Sequence, residues 1–168
     1  MRTGFGIDAH RFSPNGTVKL AGVVVDETRG VAATSDGDVV AHAVTDAVLG
    51  AAALGDLGDH FPSSDPRWQD ANSMEMLALA VTLVGDHGYA VASVDVTVLA
   101  EQVRIAPHRA TMRANLADRL GVDPAEVSVK ATTTDGLGWL GADEGIAATA
   151  VVMLGPIVGP DPEGAEPS

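Results

Sequence analysis

Residues 145–154 read Gly-Ile-Ala-Ala-Thr-Ala-Val-Val-Met-Leu and are apolar at nearly every position. One set of alternate positions carries Ile146, Ala148, Ala150, Val152 and Leu154, and the other carries Ala147, Val151 and Met153. A strand with one face in water alternates apolar and polar side chains, so this stretch predicts a strand covered on both faces. Helices of the same chain can cover one face, and we expect a neighbouring subunit to cover the other. A fully buried central strand in a monomer would give the same pattern.

The segments before this strand supply further strands and helices. Alternating or β-branched runs predict strands at 2–9, 18–26, 89–100 and 127–133. Capping residues and terminal glycines predict helices at 38–54, at 73–86 and from about Pro107 to Gly121. Pro, Gly and acidic residues dominate the end of the chain. We therefore predict a single domain over 1–155 and a flexible tail over 156–168.

The composition restricts the partners of the protein. The 168 residues include 23 acidic and 10 basic ones, for a net charge of −13. Such a surface lacks the clustered Lys and Arg that bind nucleic acid or anionic lipid, so neither is expected as a partner. A substrate that carries phosphate would need metal ions or backbone N–H groups to balance its charge. Neither a signal sequence nor an apolar run long enough to span a membrane is visible, and we expect a cytoplasmic protein.

Two short polar pairs are candidates for a metal site. Asp8 and His10 lie two apart on a predicted strand, so their side chains share one face. His42 and Asp46 lie four apart on a predicted helix, among small apolar residues. Asp8, His10 and His42 would make a three-ligand zinc site with one open position, and Asp46 could orient one of the histidines. With no cysteine in the chain, zinc would have to use such ligands. A solvated Asp-x-His pair and a satisfied core histidine are the alternative.

Two loops are candidates for binding a substrate. Residues 55–65 follow the first helix and are rich in turn residues and carboxylates. Residues 130–138 carry three threonines into a turn with two glycines, where hydroxyls and N–H groups could hold phosphate oxygens and Asp135 a cation. Arg104 lies where another predicted strand ends and could meet a phosphate or a base. Each pattern is also common in ordinary turns and strands.

In order, these segments resemble one family, the 2-C-methyl-D-erythritol 2,4-cyclodiphosphate synthases. The matching motifs are Gly6-Ile-Asp-Ala-His-Arg-Phe12, Ser35-Asp-Gly-Asp-Val-Val-Ala-His42, Leu54-Gly-Asp-Leu-Gly58, Phe61-Pro62 with Asp65, and Lys130-Ala-Thr-Thr-Thr-Asp-Gly-Leu-Gly138 with Gly141, Glu144 and Gly145. They extend over residues 4–154. Several separated motifs in register are far more specific than any one of them.

The resemblance implies a fold, an assembly and a reaction. The fold is α+β, with helices packed on one face of a mixed sheet, in a homotrimer whose sheets pack inward and whose active sites lie between subunits. The reaction converts 4-diphosphocytidyl-2-C-methyl-D-erythritol 2-phosphate to the 2,4-cyclodiphosphate and CMP, in non-mevalonate isoprenoid biosynthesis. One Zn²⁺ per subunit would bind to Asp8, His10 and His42. Mg²⁺ or Mn²⁺ would bind at Asp135 with the substrate diphosphate.

The resemblance also implies site residues by position. Thr34, Thr133 and Asp135 would be catalytic. The substrate contacts would be Asp8, His10, Thr34, Ser35, Asp56, Leu57, Gly58, Phe61, Pro62, Ser63, Ser64, Asp65, Ala100, Arg104, Ile105, Ala106, Thr132, Thr133, Thr134, Asp135, Trp139 and Ala142.

Three positions depart from the family pattern. Thr34 stands where the family usually has His, Ala142 where it usually has Arg, and Asp135 where many members have Glu. The first two changes remove a charged donor to phosphate. The same three metal ligands would also suit a zinc phosphohydrolase that acts on a nucleotide-linked substrate. A non-catalytic trimer that binds a nucleotide or an isoprenoid is a further alternative.

Overall fold

The computed structural model describes residues 1–157. The strands are β1 (Arg2–Ser13), β2 (Val18–Leu20), β3 (Val23–Asp26), β4 (Gly30–Val31), β5 (Tyr89–Leu99), β6 (Val127–Thr132) and β7 (Gly145–Pro156). The helices are α1 (Val39–Ala52), α2 (Leu57–His60), α3 (Ser73–Asp86), α4 (Arg109–Leu120) and α5 (Gly138–Gly141).

Five strands form one sheet in the order β4-β1-β7-β5-β6, and β2 pairs with β3 in a separate hairpin. Strands β5 and β6 are parallel, whereas the other pairs of the sheet are antiparallel. Helices α1, α3 and α4 pack on one face of this mixed sheet. The predicted α+β fold is confirmed.

Helix α1 packs against β1 at very short range because β1 carries two glycines there. A Cβ on Gly4 would lie 1.9 Å from the carbonyl oxygen of Ala47, and one on Gly6 would lie 2.0 Å from that of Ala43. Both distances are far below van der Waals contact, so no side chain fits at either position. This approach brings the first turn of α1 to the strand that carries Asp8 and His10.

Strand β7 is central in the sheet and has two different faces. The side chains of Ile146, Ala148, Ala150, Val152 and Leu154 are each 1% exposed or less and pack under the helices. On the opposite face Val151 is 43% exposed and Met153 39%, beside Phe5 and Ile7 of β1 at 62% and 60%. Within residues 1–157 of a single chain, therefore, one apolar face is covered and much of the other is exposed.

Several predicted boundaries were wrong, and β1 continues to Ser13 instead of ending at residue 9. Residues 18–26 are two strands, because Ala21 and Gly22 both take positive φ values (49° and 75°) and turn the chain. Helix α1 ends at Ala52, since Ala53 adopts the left-handed conformation at its C-cap. Pro107 lies in a separate 3₁₀ turn that precedes α4.

The end of the chain departs slightly from the predicted tail. Strand β7 continues to Pro156, and the N–H of Ile157 donates to the carbonyl of Gly88 at 2.8 Å. The rest of the predicted tail, residues 158–168, lies outside the described residues. Within residues 1–157 no helix has the length and apolarity to span a membrane.

Candidate metal centre and adjoining cavities

The three predicted metal ligands meet at the junction of β1 and α1. Asp8 and His10 point to the same side of β1, and His42 reaches them from α1. Asp8 Oδ2 lies 2.7 Å from His42 Nδ1 and 3.1 Å from His10 Nε2. The two ring nitrogens are 3.4 Å apart. All three side chains are largely buried, with 11–24% of their surface exposed.

These distances fit a single metal ion. The three donor atoms all lie within 4.8 Å of one another. Bonds of about 2.0–2.1 Å at a tetrahedral angle would place donor atoms roughly 3.3 Å apart, close to the observed spacing. Two imidazole nitrogens and one carboxylate oxygen leave one coordination position for a substrate atom, as in catalytic zinc sites.

The charges of Asp8, His10 and His42 also favour the binding of a metal ion. Burial alone would raise the pKa of Asp8, but the hydrogen bonds and charges of His10 and His42 outweigh it, so the pKa lies well below its ordinary value. For His42, burial disfavours the charged ring, but the hydrogen bond and charge of Asp8 prevail and the pKa is raised. Asp8 is thus ionised and would attract a cation to this point.

The outer nitrogen of His42 contacts two hydroxyls. Its Nε2 lies 2.8 Å from Ser73 Oγ and 3.1 Å from Ser35 Oγ. Asp46, predicted to orient a histidine, instead accepts a hydrogen bond from the N–H of Leu57 at 2.7 Å. No hydrogen bond between Asp46 and either histidine occurs within residues 1–157. The sequence did not indicate Ser73 as a site residue, because a serine at the start of a helix is typical of helix capping.

A cavity of about 200 Å³ opens over the metal cluster. Its walls include the three ligands, Thr34 and Ser35 from the loop before α1, and Leu57, Phe61, Ser63, Trp68 and Met76. Phe61 and Trp68 contact each other edge to face, with ring centroids 4.9 Å apart. The cavity therefore joins a charged end at the metal cluster to an apolar end, which suits a small molecule with one phosphate and a short carbon chain.

The other predicted residues of the 55–65 segment lie around this cavity rather than in its lining. Asp56 caps α2, where its carboxylate accepts from the N–H of Asp59 at 3.0 Å. Asp65 caps the 3₁₀ turn Pro66–Trp68 and forms an ion pair with Arg67. Gly58 and Ser64 are exposed, and Pro62 is partly exposed. The predicted turn-rich loop thus contains the short helix α2.

A second cavity, of about 280 Å³, gathers most of the residues predicted to hold the nucleotide. It is lined by Ala100, Glu101, Val103, Arg104, Ile105, Ala106, Arg109, Ala131, Thr132 and Thr133. Ala100 and Ile105 also belong to the hydrophobic core, whereas Arg104 is exposed. The arginine is therefore free to approach an anion.

The turn after β6 holds the rest of the predicted site. Asp135 is exposed, has a φ of 51°, and accepts from the hydroxyl of Thr133 at 3.3 Å. Thr134 instead donates its hydroxyl hydrogen bond to the carbonyl of Leu137. Trp139 of α5 lines a third cavity of about 230 Å³ beside His10. Ala142 is the exposed C-cap of α5.

The fold and the cluster define an α+β protein with a candidate three-ligand metal site that opens into a cavity of small-molecule size. The chain belongs to the YgbB family, whose model matches residues 1–155.

Curated relatives share this sequence closely. The chain is 51% identical over 118 residues to the 2-C-methyl-D-erythritol 2,4-cyclodiphosphate synthase of Thioalkalivibrio sulfidiphilus, covering 70% of this chain and 74% of that protein. It is 53% identical over 116 residues to the bifunctional enzyme IspD/IspF of Novosphingobium aromaticivorans, covering 69% of this chain but 30% of that longer protein.

Solved structures show the same fold. The bifunctional IspDF of Campylobacter jejuni matches with a TM-score of 0.88 at 42% identity, over 91% of this chain and 42% of that one. A Plasmodium falciparum IspF in complex with CDP matches with a TM-score of 0.81 at 31% identity, over 92% of this chain and 96% of that one.

Proposed function

We propose that the protein is a 2-C-methyl-D-erythritol 2,4-cyclodiphosphate synthase. It converts 4-diphosphocytidyl-2-C-methyl-D-erythritol 2-phosphate to the cyclic diphosphate and CMP. The observation that carries this proposal is the Asp8, His10 and His42 cluster at the mouth of the 200 Å³ cavity, in a chain of this family. The names of its relatives support the same substrate.

The reaction needs positioning more than acid–base chemistry. An oxygen of the 2-phosphate attacks the β-phosphorus, the bond from that phosphorus to the bridging oxygen breaks, and CMP leaves with that oxygen. The nucleophile is already an anion, so no general base is required. A Zn²⁺ at the cluster would polarise phosphoryl oxygens and offset their charge.

The side chains of the first cavity would hold the methylerythritol phosphate. Thr34 and Ser35 offer hydroxyls beside the cluster, and Phe61 with Leu57 offers an apolar wall for the methyl group. Asp56, Gly58, Pro62, Ser64 and Asp65 contribute by shaping the wall behind them. Hydroxyls that are already in place can stabilise the transition state, because they need no rearrangement when negative charge develops on the phosphoryl oxygens.

The second cavity would hold the cytidine diphosphate. Arg104 and Ala106 with the backbone near Ala100 would meet the nucleoside, while Thr132 and Thr133 would contact its phosphates. Asp135 would hold Mg²⁺ or Mn²⁺ against the diphosphate, with Thr134 fixing the turn. CDP binding by the P. falciparum neighbour supports a nucleotide site on this fold.

We further propose that the protein acts as a homotrimer. The exposed apolar face around Phe5 and Val151 would be covered by the sheets of two other copies. The nucleotide cavity of one copy would then face the metal cluster of another, with Trp139 and Ala142 near the boundary. The protein would act in the cytoplasm.

Product analysis tests the function. The protein is incubated with the substrate and divalent metal, and the products are identified by mass spectrometry, with His42→Ala as the control. We expect the cyclic diphosphate and CMP from the wild type and neither from His42→Ala. A hydrolysed monophosphate would instead identify a zinc phosphohydrolase, and substrate binding without turnover a non-catalytic binding protein. Equal zinc content in both proteins would refute the ligand assignment.

A further inference from the structure

The outer nitrogen of His42 ends a chain of hydrogen bonds that leads away from the cavity. Ser73, the first residue of α3, is fully buried and lies 2.8 Å from His42 Nε2. Its hydroxyl donates to Asp36 Oδ1 at 2.5 Å. Asp36 is held in turn by its own N–H, which donates to the carbonyl of Ala71 at 3.0 Å, and by Lys19, 3.8 Å from its other oxygen.

The direction of each hydrogen bond follows from the donors available. A serine hydroxyl has a single proton and an ionised carboxylate has none, so the proton of Ser73 must go to Asp36. The lone pairs of Ser73 Oγ then face His42, and the ring must carry a proton on Nε2 to bond there. When a metal ion replaces the hydrogen bond between His42 Nδ1 and Asp8, the neutral ring that keeps its proton on Nε2 presents the Nδ1 lone pair to that ion, beside Asp8 and His10.

Ser35 does not offer an equal alternative. Its oxygen lies farther from His42 Nε2, at 3.1 Å, and already accepts the N–H of Gly37 at 3.3 Å. Its hydroxyl can donate to Ser73 Oγ, 3.2 Å away, which reinforces the same direction. Within residues 1–157, no hydrogen bond reaches the other ring nitrogen of His10.

We propose that Ser73, anchored by Asp36, is a positioning residue that selects the metal-binding tautomer of His42 and fixes the plane of its ring. The inference rests on the proposed metal site, but it concerns which residue prepares that site. It assigns to Ser73 and Asp36 the part that the sequence suggested for Asp46. Outer partners of this kind typically change metal affinity by about 10–100-fold.

Zinc affinity measured by competition with a chromophoric chelator tests the proposal. We expect Ser73→Ala to bind Zn²⁺ about 10–100-fold more weakly than the wild type, since the tautomer is no longer selected. Asp36→Asn should weaken binding in the same direction but less, because its amide still accepts the serine proton. Thr45→Val is the matched control, since it removes a buried α1 hydroxyl that donates to the carbonyl of Ala41.

A second measurement reports on the hydrogen bond itself. In zinc-loaded protein with ¹⁵N-labelled histidine, the Nε2 proton of His42 should give a slowly exchanging resonance that is absent from His42→Ala. Ser73→Ala should make this proton exchange rapidly while Thr45→Val leaves it unchanged.

The outcomes separate the two proposals. A wild type that binds no zinc would refute the metal site. Wild-type zinc affinity and slow exchange in Ser73→Ala would overturn the role of Ser73 and leave the metal site intact. An equal loss of affinity in Thr45→Val would also overturn it, because the cause would then be packing.

Discussion

Position 34 is the residue of the cavity at which the resemblance predicts a histidine and this chain has threonine. Thr34 lines the cavity beside the metal cluster, and its backbone carbonyl is fixed by the N–H of Asp70 at 2.8 Å. A charged donor to phosphate contributes roughly 1.5–3 kcal/mol, against about 1 for a neutral one. A cationic histidine there would therefore hold the developing charge more strongly than a hydroxyl.

We predict that Thr34→His raises kcat/KM by about tenfold, since 1.36 kcal/mol is a factor of ten. Steady-state measurement of CMP release at matched metal concentration tests this. Thr34→Val serves as the opposite control and should lower kcat/KM, because it keeps the shape and removes the hydroxyl. An unchanged or lower value for Thr34→His would show that another group has taken over the role.

Individual site residues were predictable from the sequence where the periodicity of a strand or helix determines which way the side chains point. Asp8 and His10 share a face because strand side chains repeat every two residues, and their meeting with His42 needed only the helix to cross β1. Ser73 was not predictable. It lies 31 positions from His42, and only the packing of α3 against α1 brings its hydroxyl to the ring.

At the scale of elements, the contact between β1 and α1 positions the whole metal cluster. We predict that Gly6→Ala destabilises the protein by several kcal/mol and weakens zinc binding, because its Cβ would overlap the carbonyl of Ala43 and push α1 outward. Urea unfolding and chelator competition measure the two effects. Gly50→Ala is the control on α1, where a Cβ meets nothing within 4 Å, and it should stabilise by about 0.5–1 kcal/mol. Equal stabilities for the two variants would contradict this packing.

A second element contact ties the loop after β3 to the turn after α5. The guanidinium of Arg29 donates to both carboxylate oxygens of Asp143 and to Asp26, and it stacks 3.8 Å from the ring centre of Phe12. The guanidinium of Arg29 therefore lies beside the turn in which the resemblance predicts an arginine at the position of Ala142. We predict that Arg29→Met costs about 1–2 kcal/mol at pH 7, the sum of modest ion-pair and cation–π terms.

The pH dependence of that cost follows from Asp26. The hydrogen bond from Thr28 lowers its pKa, burial opposes this, and the contact with Arg29 adds to the lowering. A lowered pKa gives stability that is present above the ordinary value of 3.8 and is lost as the pH falls through the folded value. The destabilisation by Arg29→Met should therefore shrink as the pH falls below the ordinary value of 3.8, as urea unfolding at each pH would show. A cost that does not vary with pH would mean that stacking on Phe12 dominates.

For the whole molecule, the sequence predicted the long strands and the long helices, but not the short strand β4 or every turn. The hairpin of β2 and β3 was missed because Ala21 takes a positive φ that alanine rarely adopts. That turn is stabilised from outside the hairpin, since Asp38 accepts the N–H groups of Ala21 and Gly22. Because these hydrogen bonds join residues 16 or 17 positions apart, no local sequence pattern predicts the turn.

The two apolar faces of β7 were predictable, and they lead to the prediction for the assembly. Val151 is 43% exposed and pairs with Phe5 across the strands, so the face opposite the helices is apolar in the single chain. Covering it with two more copies would remove this surface from water. We predict that the wild type at micromolar concentration has three times the 17.1 kDa mass of the chain by light scattering.

Val151→Lys should shift the mass toward that of one chain and abolish CMP release, because a lysine buried between sheets would have no partner for its charge. Leu79→Lys is the matched control. Leu79 is 51% exposed on α3, on the helical side of the sheet, so its replacement should change neither mass nor activity. A trimeric Val151→Lys would place the subunit contact on another surface. A monomeric wild type would leave the metal cluster and the nucleotide cavity to act within one chain, and the active site between subunits would have to be abandoned.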